Sequence, residues 1–393
     1  MKILALGGPG AMGRVAVRVA TGLPGVQEIV VADRDVDAAR RLVRELAGSR
    51  VRMSARKVDV ADEAELDATL EEADVVLNTV GPFYRFGLGV LRAAIRTRTH
   101  YLDICDDWEP ALQMLDLDAE ARIAGVCAVV GMGASPGISN LLAARAVARL
   151  DTVTDLYTAW PVDVPGSGAG ETDLRGPDGR PIAAAVHWMQ QISGTVAAVN
   201  NGEVVQRPPL QPVTLTLPGG RKGTAYTVGH PEPVTLQRSY RLAGDSANLM
   251  VITPGTVAYL DVLRSDIDSG RLTNETAAAD LAKPTMRRAM RAAVRAVKFK
   301  TPGSLPPFFA TARGIKDGRP TTVLAHLTGT ATLMKGMAEA TGIPAALGLA
   351  QLLDGTVSQP GVHPPETAID PDRFFADLAE HAKPIEVVIE EAS

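Results

Sequence analysis

A glycine-rich segment near the start of the chain has the residue types and spacing needed to bind a pyrophosphate. It reads Gly8-Pro9-Gly10-Ala11-Met12-Gly13 and fits Gly-x-Gly-x-x-Gly. It follows an apolar run, Ile3 to Leu6, that predicts a strand, and it opens a stretch that predicts a helix, whose N-terminal N–H groups attract phosphate. We predict that this segment binds a dinucleotide through Gly8, Gly10, Ala11, Met12 and Gly13. An ordinary strand-to-helix turn is the alternative.

The residues that would meet the adenosine end of the dinucleotide follow the next two predicted strands. Asp33 lies twenty residues beyond Gly13, where a carboxylate accepts hydrogen bonds from ribose hydroxyls, and this placement favours NAD. Arg34 could instead bind the 2′-phosphate of NADP, or could simply face solvent. Asp59 is predicted near the adenine, with the N-cap of the following helix as its alternative role.

A second group of candidate residues follows the fourth predicted strand, Val75 to Asn78. Ligands of open α/β sheets bind at the carboxyl ends of strands, so Asn78, Val80, Gly81 and Pro82 are predicted to contact the cofactor. Tyr84 and Arg85 continue the same loop. Asp103 ends the next predicted strand.

The pattern of apolar runs predicts a doubly wound parallel sheet in the first third of the chain. Short Val, Ile, Leu and Ala runs alternate there with amphipathic stretches. The predicted strands are Ile3–Leu6, Glu28–Ala32, Arg52–Lys57, Val75–Asn78, His100–Asp103 and Val126–Val130. The predicted helices cover residues 11–21, 36–47, 63–72, 87–96 and 109–123.

The residue composition changes after residue 150, and a separate α+β domain is predicted there. Pro165 to Pro181 is rich in Gly and Pro and is interpreted as a lid or a plain connection. A helix is expected over 184–193, a hairpin turning at Asp317-Gly318, and one long helix over 276–297. Extended segments are expected at Val213–Leu217, Leu249–Ile252 and Ile385–Ile389.

Composition excludes several classes of function. Forty basic and forty-five acidic residues leave a net charge of −5, so no overall positive field exists to hold nucleic acid. No apolar run is long enough to span a membrane, and no signal peptide is recognisable. The two cysteines, Cys105 and Cys127, are typical of a reducing compartment, which predicts a cytoplasmic protein. No two of the six histidines lie three or four residues apart, so no metal site is predicted.

Beyond these physical patterns, several motifs resemble the saccharopine dehydrogenase family, which includes saccharopine reductases, lysine 6-dehydrogenases and carboxynorspermidine dehydrogenases. The resemblance covers the first 150 residues well and the remainder more loosely. It rests on the glycine loop and on the segments Val80–Gly87, His100–Cys105, Ser135–Asn140, Gly229–Leu236, Gly342–Pro344 and Gly361–Pro365.

The resemblance implies an architecture of three parts and a homodimer. It implies a Rossmann domain over 1–135 and a second domain over 136–330, whose mixed sheet serves substrate binding and dimerisation. Residues 331–393 would form helices and a strand that return to the Rossmann domain. Where many relatives carry Gly-Glu after the Asp103 motif, this chain has Asp106-Asp107, and this departure indicates a cationic substrate. An acidic helix start explains it equally well.

Oxidation of a carbon–nitrogen bond needs a hydride acceptor and a group that handles the amine proton. Tyr84, Asp103 and His230 are predicted for the proton and for orientation of the substrate, with Arg85 and Arg238 as further contacts. Each has a structural alternative: a pocket wall for Tyr84, a helix cap for Asp103, a turn for His230 and surface ion pairs for the arginines.

Three functions remain compatible with these residues. The first is an NAD(P)-dependent dehydrogenase or reductase acting on an amine or imine of an amino acid, an opine-like compound or a polyamine, with NAD preferred over NADP. The second resembles homospermidine synthase, in which bound NAD is reduced and reoxidised within one turnover. The third is a dinucleotide sensor without catalysis.

Overall fold

The structure of the protein is a computed structural model that describes residues 1–164, 174, 179–331 and 333–393. Most of the predicted lid, residues 165–173 and 175–178, lies outside the described residues. The chain forms two compact units. The first comprises Met1–Leu141 and Met337–Ala382, and the second comprises Leu142–Gly336 and Lys383–Ser393.

The first unit contains the predicted parallel sheet. Its strands are in the order β15-β6-β5-β4-β1-β2-β3, and every pairing is parallel. The reversal of strand order beside β1 is typical of a Rossmann domain, which confirms the predicted fold class. The strands are β1 (Lys2–Leu6), β2 (Glu28–Asp33), β3 (Arg52–Lys57), β4 (Val75–Asn78), β5 (His100–Asp103), β6 (Cys127–Val129) and β15 (Gly361–His363).

The helices of this unit agree with the sequence pattern except at two places. The helix expected over 87–96 begins earlier, at Phe83, because Pro82 occupies the N-cap position, where its missing N–H costs nothing. The helix expected over 109–123 is interrupted at Asp116 and Leu117. These helices are α1 (Ala11–Ala20), α2 (Val36–Glu45), α3 (Glu63–Leu70), α4 (Phe83–Thr97), α5 (Trp108–Leu115) and α6 (Asp118–Ala124), followed by α7 (Ile138–Val147).

The C-terminal part of the first unit packs against α1, the helix that follows the glycine loop. Helix α13 (Met337–Leu353) packs against α1, and a Cβ atom on Gly342 would lie 2.6 Å from the carbonyl oxygen of Met12. Only glycine permits this close approach. Helices α14 (Pro365–Ala368) and α15 (Pro371–His381) complete this part.

The second unit is built on a mixed sheet, as the resemblance implies. Its main path runs β10-β11-β12-β7-β13-β14-β16, and β8 pairs with β12 and β9. Among the described strands of this second sheet, β12 and β7 form the one parallel pair, and the other pairings are antiparallel. The strands are β7 (Thr152–Pro161), β8 (Val196–Asn200), β9 (Glu203–Arg207), β10 (Pro212–Thr216), β11 (Lys222–Thr227), β12 (Ser246–Val251), β13 (Phe309–Lys316), β14 (Arg319–Thr328) and β16 (Glu386–Ala392).

The predicted hairpin is present, because Asp317 and Gly318 both adopt positive φ, at 49° and 73°. The prediction of one helix over 276–297 is wrong. Lys283 precedes Pro284 and leaves the helical region, so the segment divides into α11 and α12. The helices of this unit are α8 (Ala183–Gln191), α9 (Glu232–Tyr240), α10 (Pro254–Asp268), α11 (Asn274–Ala282) and α12 (Met286–Ala296).

The prediction that the last strand returns to the Rossmann domain is also wrong. Strand β16 pairs antiparallel with β14 in the second sheet, with Val388 opposite His326. Its apolar residues, Val387–Ile389, are consecutive and only half-buried, and glutamates lie on both sides of them, as suits a strand at the edge of a sheet. Among the described residues, no helix combines the length and apolarity required to cross a lipid bilayer.

Candidate functional site

The glycine loop between β1 and α1 is packed so closely that side chains are excluded at its ends. A Cβ atom on Gly13 would lie 2.5 Å from the carbonyl oxygen of Gly7 and 2.6 Å from Oγ1 of Thr79. A Cβ atom on Gly8 would lie 3.0 Å from Cγ1 of Val31 and 3.1 Å from the carbonyl oxygen of Ala5. These contacts match the roles predicted for Gly8 in the turn and for Gly13 in the packing of helix on strand.

Gly10 is constrained in a different way. It is exposed, its φ is −63°, and a Cβ atom would meet only the carbonyl oxygen of Gly7, at 3.1 Å. Within the protein, one short contact is therefore all that opposes a small side chain at this position. The structure leaves the space in front of Gly10 open, as a backbone that approaches a phosphate requires.

The N-terminus of α1 has the electrostatic character of an anion site. Gly10 is the N-cap residue and offers no capping side chain, and the first turn contains no acidic residue. Ala11 is exposed and Met12 is half-buried beside it. Uncapped N–H groups and the positive end of the helix dipole thus face outward in the predicted binding loop.

Two residues that the motif does not include hold the loop. Gly7 adopts a φ of 71°, and its N–H donates to the carbonyl oxygen of Ala32 on β2. Thr79 donates from Oγ1 to the carbonyl oxygen of Leu6, at 2.9 Å. Thr79 thereby ties the end of β4 to the start of the glycine loop. Its position directly after a strand that parallels β1 was the available sequence signal.

The ends of β2 and β3 bring Asp33 beside a basic residue that sequence reasoning missed. Asp33 is half-buried, and its Oδ1 accepts a hydrogen bond from the N–H of Asp35 at 2.8 Å. Lys57 is the register partner of Asp33 and is exposed. Arg34 is exposed and makes no ion pair within the described part of the chain. Two exposed cations thus lie near Asp33 in the chain, Arg34 next to it in sequence and Lys57 opposite it in the register of β2 and β3.

Asp59 is exposed and forms a local turn, in which its Oδ1 accepts from the N–H of Ala61 at 3.0 Å. It does not cap α3, because Asp62 occupies the N-cap position and accepts from the N–H of Glu65. The alternative prediction, that Asp59 is the N-cap of the following helix, is therefore wrong. A contact between Asp59 and the adenine stays a prediction.

A buried polar network joins the carboxyl ends of β4 and β5. Asn78 donates from Nδ2 to the hydroxyl oxygen of Tyr101 at 3.0 Å, and Tyr101 donates to Oδ2 of Asp103 at 2.7 Å. Oδ1 of Asp103 accepts from the N–H groups of Cys105 and Gly131, at 3.0 and 2.7 Å. The carboxyl group of Asp103 thus connects the end of β5 to the loop after β6.

Burial dominates the electrostatics of this network. Asp103 is completely buried, and its burial raises its pKa to about 6 even though three donors stabilise the carboxylate. Burial, followed by the Asp103 charge, raises the pKa of Tyr101 well above its ordinary value. Because Asp103 is enclosed within the first unit, the structure places it as a positioning group for the loops around it, and its catalytic role stays a prediction.

The loop from Asn78 to Arg85 presents the remaining candidates of this edge. Oδ1 of Asn78 accepts from the N–H of Val80 at 3.1 Å, and Val80 and Pro82 are half-buried while Gly81 is exposed. Tyr84 is 59% exposed at the start of α4. The exposed Arg85 lies over the ring of Phe86, 4.9 Å from its centroid.

The acidic pair of the first unit, Asp106 and Asp107, is half-buried directly before α5. Asp107 is the N-cap residue, yet its side chain makes no capping hydrogen bond. Its carbonyl oxygen accepts from Sγ of Cys105 at 3.6 Å. A simple role as the cap of a solvated helix therefore does not explain this pair.

The second unit contains an acidic and aromatic cluster around His230. The imidazole ring stacks on Trp160 with centroids 5.6 Å apart, and its Nδ1 lies 3.7 Å from Oε2 of Glu232. Oε1 of Glu232 accepts from Nδ2 of Asn248 at 2.7 Å, and Oδ1 of Asn248 accepts from Nε1 of Trp160 at 2.9 Å. His230 is 5% exposed and Glu232 is fully buried.

Chain geometry explains how these residues meet. The N–H of Gly229 donates to the carbonyl oxygen of Gln191, and a Cβ atom on Gly229 would lie 2.8 Å from Val196. Glu232 opens α9, while Trp160 and Asn248 lie on the paired strands β7 and β12. Arg238, on the same helix as Glu232, is exposed. Of the predicted second-unit residues, the structure thus encloses His230 in a polar cluster and leaves Arg238 at the surface.

The part of the chain that a known protein family matches lies within the first unit. Residues 3–129 match the family model described as the saccharopine dehydrogenase NADP binding domain. Residues 3–129 of the first unit are therefore similar in sequence to the NADP-binding domain of saccharopine dehydrogenases. Because the description names NADP, it favours NADP and does not support the preference for NAD that Asp33 predicts.

Similar proteins of known activity extend the likeness. A saccharopine dehydrogenase [NADP(+), L-glutamate-forming] of Pyricularia oryzae is 30% identical over 120 residues, 30% of this chain and 25% of that protein. A carboxynorspermidine synthase of Vibrio alginolyticus is 24% identical over 256 residues, 60% of this chain and 59% of that protein. The chain thus matches about a quarter of the first protein and less than two thirds of the second.

The fold of the whole chain matches a solved structure. The apo saccharopine dehydrogenase (L-Glu forming) of Saccharomyces cerevisiae is 17% identical, with a TM-score of 0.65 and full coverage of both chains. This match shows a shared fold. Together with the domain match, it confirms the resemblance of this chain to the saccharopine dehydrogenase family.

Proposed function

We propose that the protein is an NADP(H)-dependent oxidoreductase that transfers a hydride between the nicotinamide and a carbon bearing nitrogen. The observation that carries the proposal is the glycine loop, where an uncapped helix N-terminus stands behind the open backbone of Gly10. The similarity to a saccharopine dehydrogenase and to a carboxynorspermidine synthase supports an amino-acid or polyamine substrate.

The first unit supplies the groups for the dinucleotide. The N–H groups of Ala11, Met12 and Gly13 would hold the pyrophosphate, and Thr79 would keep the loop in place through its bond to Leu6. Arg34 and Lys57 would bind the 2′-phosphate, because both are exposed cations at adjacent strand ends. The bound dinucleotide supplies the hydride acceptor or donor.

In the oxidative direction, a substrate C–H bond breaks as its hydride leaves, an N–H proton is given to a base, and a C=N bond forms. We assign that proton to the ring of His230, whose Nδ1 faces the buried carboxylate of Glu232. A carboxylate beside an imidazole can orient the ring for proton transfer. Asp103 would act as a positioning residue, while Tyr84, Arg85 and the Asp106-Asp107 pair would contact the substrate.

The cofactor assignment is tested by calorimetry with NADPH and NADH. We expect Arg34→Ala to weaken NADPH binding by ~10-fold or more, since a charged hydrogen bond contributes about 1.5–3 kcal/mol. NADH binding should change little. Arg52→Ala is the matched control, because Arg52 lies at the other end of β3 and pairs with Glu28. Equal loss of NADPH and NADH affinity in Arg34→Ala would contradict the phosphate contact.

The chemistry is tested by following reduced nicotinamide while the enzyme meets NADP⁺ and a panel of amino acids and polyamines. Net reduction that requires a secondary or primary amine supports the proposal. We expect His230→Gln to lower kcat and flatten its pH profile, with NADPH affinity unchanged, while the exposed His381→Gln acts as control. A protein that binds NADPH, yet neither reduces NADP⁺ with an amine nor reduces an imine with NADPH, would instead be a dinucleotide sensor.

A further inference from the structure

A buried asparagine of the second unit joins two groups that lie against the His230 ring. Asn248 belongs to β12 and is 1% exposed. Its Oδ1 accepts a hydrogen bond from Nε1 of Trp160 at 2.9 Å, and its Nδ2 donates to Oε1 of Glu232 at 2.7 Å. Trp160 stacks on the imidazole, and Oε2 of Glu232 lies 3.7 Å from Nδ1 of the same ring. One side chain thus holds two neighbours of the ring.

The chemistry of these two partners determines which way the amide of Asn248 points. An indole N–H only donates a hydrogen bond, and an ionised carboxylate only accepts one. A carboxamide has one acceptor and one donor group in the same plane, so it serves both partners in the orientation that the structure has. Nδ2 also donates to Oγ1 of Thr158 at 2.9 Å, which agrees with this orientation.

The main chain connects Asn248 to His230 as well. Strands β12 and β7 are parallel, with Asn248 opposite Thr158, and Trp160 lies two positions further along β7, on the same face as Thr158. The carbonyl oxygen of Asn248 accepts from the N–H of Val228 at 3.1 Å. The carbonyl oxygen of Val228 in turn accepts from the N–H of His230 at 3.2 Å. Asn248 is therefore bonded both to the chain that leads to His230 and to the groups around its ring.

We propose that Asn248 is a positioning residue that fixes the ring orientation and the tautomer of His230. The inference rests on the proposed function, in which His230 accepts the amine proton. A carboxylate beside Nδ1 favours the tautomer whose proton is on Nδ1, and Nε2 is then the nitrogen whose lone pair can accept a proton. As the hydride leaves the substrate carbon for the nicotinamide, the substrate N–H bond breaks, its proton moves to Nε2, and its electron pair forms the C=N bond.

Removal of the amide should release both contacts at once. In Asn248→Leu, a side chain of similar size gives the indole of Trp160 no acceptor and the carboxylate of Glu232 no donor, so both groups can turn away from the ring. A displacement of about 1 Å near a reacting atom can lower a rate on the order of 100-fold. We therefore expect kcat to fall ~10-fold to ~100-fold. NADPH affinity should stay the same, because the dinucleotide is assigned to the first unit.

Nuclear magnetic resonance of the ring nitrogens measures the tautomer without any need for activity. With the six histidines isotope-labelled, long-range nitrogen–proton spectra at mildly alkaline pH should show the Nδ1-protonated tautomer for His230, whose signals are assigned by their loss in His230→Gln. Asn248→Leu should shift these signals towards the average of the two tautomers. Ser246→Ala is the matched control, because Ser246 is 2% exposed on the same face of β12. An Nε2-protonated wild type, or an unchanged spectrum in Asn248→Leu, overturns the proposal.

Kinetics of a double variant tests whether Asn248 acts through His230. Asn248→Leu and His230→Gln should each lower kcat for the amine that wild type oxidises. The double variant should be no slower than His230→Gln, because a residue that acts only through the ring has no effect once the ring is gone. Ser246→Ala should keep the wild-type kcat. Losses that add in the double variant, or a wild-type kcat in Asn248→Leu, would contradict the positioning role.

A second variant covers the case in which Asn248→Leu does not fold, as judged by far-UV circular dichroism. Asn248→Asp keeps the side-chain shape and the acceptor for the indole N–H, but it replaces the donor to Glu232 by an oxygen. Two carboxyl groups this close keep a proton between them, so the Nδ1-protonated tautomer should again lose its preference. If wild type oxidises no amine, the proposed function fails, and the spectra alone then decide whether Asn248 sets the tautomer of His230.

Discussion

Substitution of Gly10 by alanine separates a role in binding from a role in folding. The new Cβ atom would meet only the carbonyl oxygen of Gly7, at 3.1 Å, and the φ of −63° suits alanine. A shift of a few tenths of an ångström would relieve that contact. Loss of flexibility in the unfolded chain adds about 0.4–1 kcal/mol of stability. We therefore expect the stability of Gly10→Ala to stay within ~1 kcal/mol of wild type.

Cofactor affinity should change much more. The added methyl group occupies the open side of the loop, where the phosphates must approach the backbone, so the N–H groups behind it lose their short contacts. Loss of one charge-assisted hydrogen bond costs about 1.5–3 kcal/mol, which corresponds to a ~10-fold to ~100-fold increase in the Kd for NADPH.

The assay pairs calorimetric titration with thermal unfolding. Gly89→Ala is the control, because Gly89 is exposed in α4 and a Cβ atom there would have no neighbour within 4 Å. That variant should gain ~1 kcal/mol of helix stability and bind NADPH as wild type does. If Gly10→Ala binds NADPH with wild-type affinity, the glycine loop does not hold the pyrophosphate.

Two further substitutions test the buried charges. Burial raises the pKa of Asp103 to about 6, so the folded state keeps a proton that the unfolded state has lost, and stability from this group decreases as pH rises from about 4 to 6. Chemical denaturation should therefore show the stability of wild type relative to Asp103→Asn falling by up to ~3 kcal/mol over this range; a flat difference would contradict the raised pKa. The arginines around Asp266 hold its pKa well below the ordinary value, so its contribution is present above pH 4 and is lost as pH falls below that value. Asp266→Asn should lower the free energy of unfolding at neutral pH by ~3–5 kcal/mol, against an exposed-pair control, Asp37→Asn, which should change it by under ~1 kcal/mol.

The parallel sheet of the first unit could be predicted because its strands are local apolar runs that the amphipathic helices separate. The glycine loop could be predicted for the same reason, since its strand, turn and helix are contiguous in sequence. Thr79 escaped prediction because its partner, Leu6, is 73 positions away. Only the pairing of β1 with β4 brings the two together.

The second unit was less predictable because its pairings are non-local. His230 stacks on Trp160 from 70 positions away, and the last strand pairs with β14 although its composition resembles strands of the first unit. The break at Lys283-Pro284 was visible in the sequence, and the apolar periodicity on both sides concealed it. Helix α12 turns its arginines towards Asp261 and Asp266 of α10 and leaves its apolar residues exposed. Helical periodicity alone does not predict these ion pairs.

The central claim is that the first unit binds NADP(H) through the loop between β1 and α1. Its most direct test is a calorimetric titration of the purified wild-type chain with NADPH and with NADH. We predict one site per chain and tighter binding of NADPH, because Arg34 and Lys57 are available to a 2′-phosphate. Failure of folded protein to bind either dinucleotide would contradict the claim.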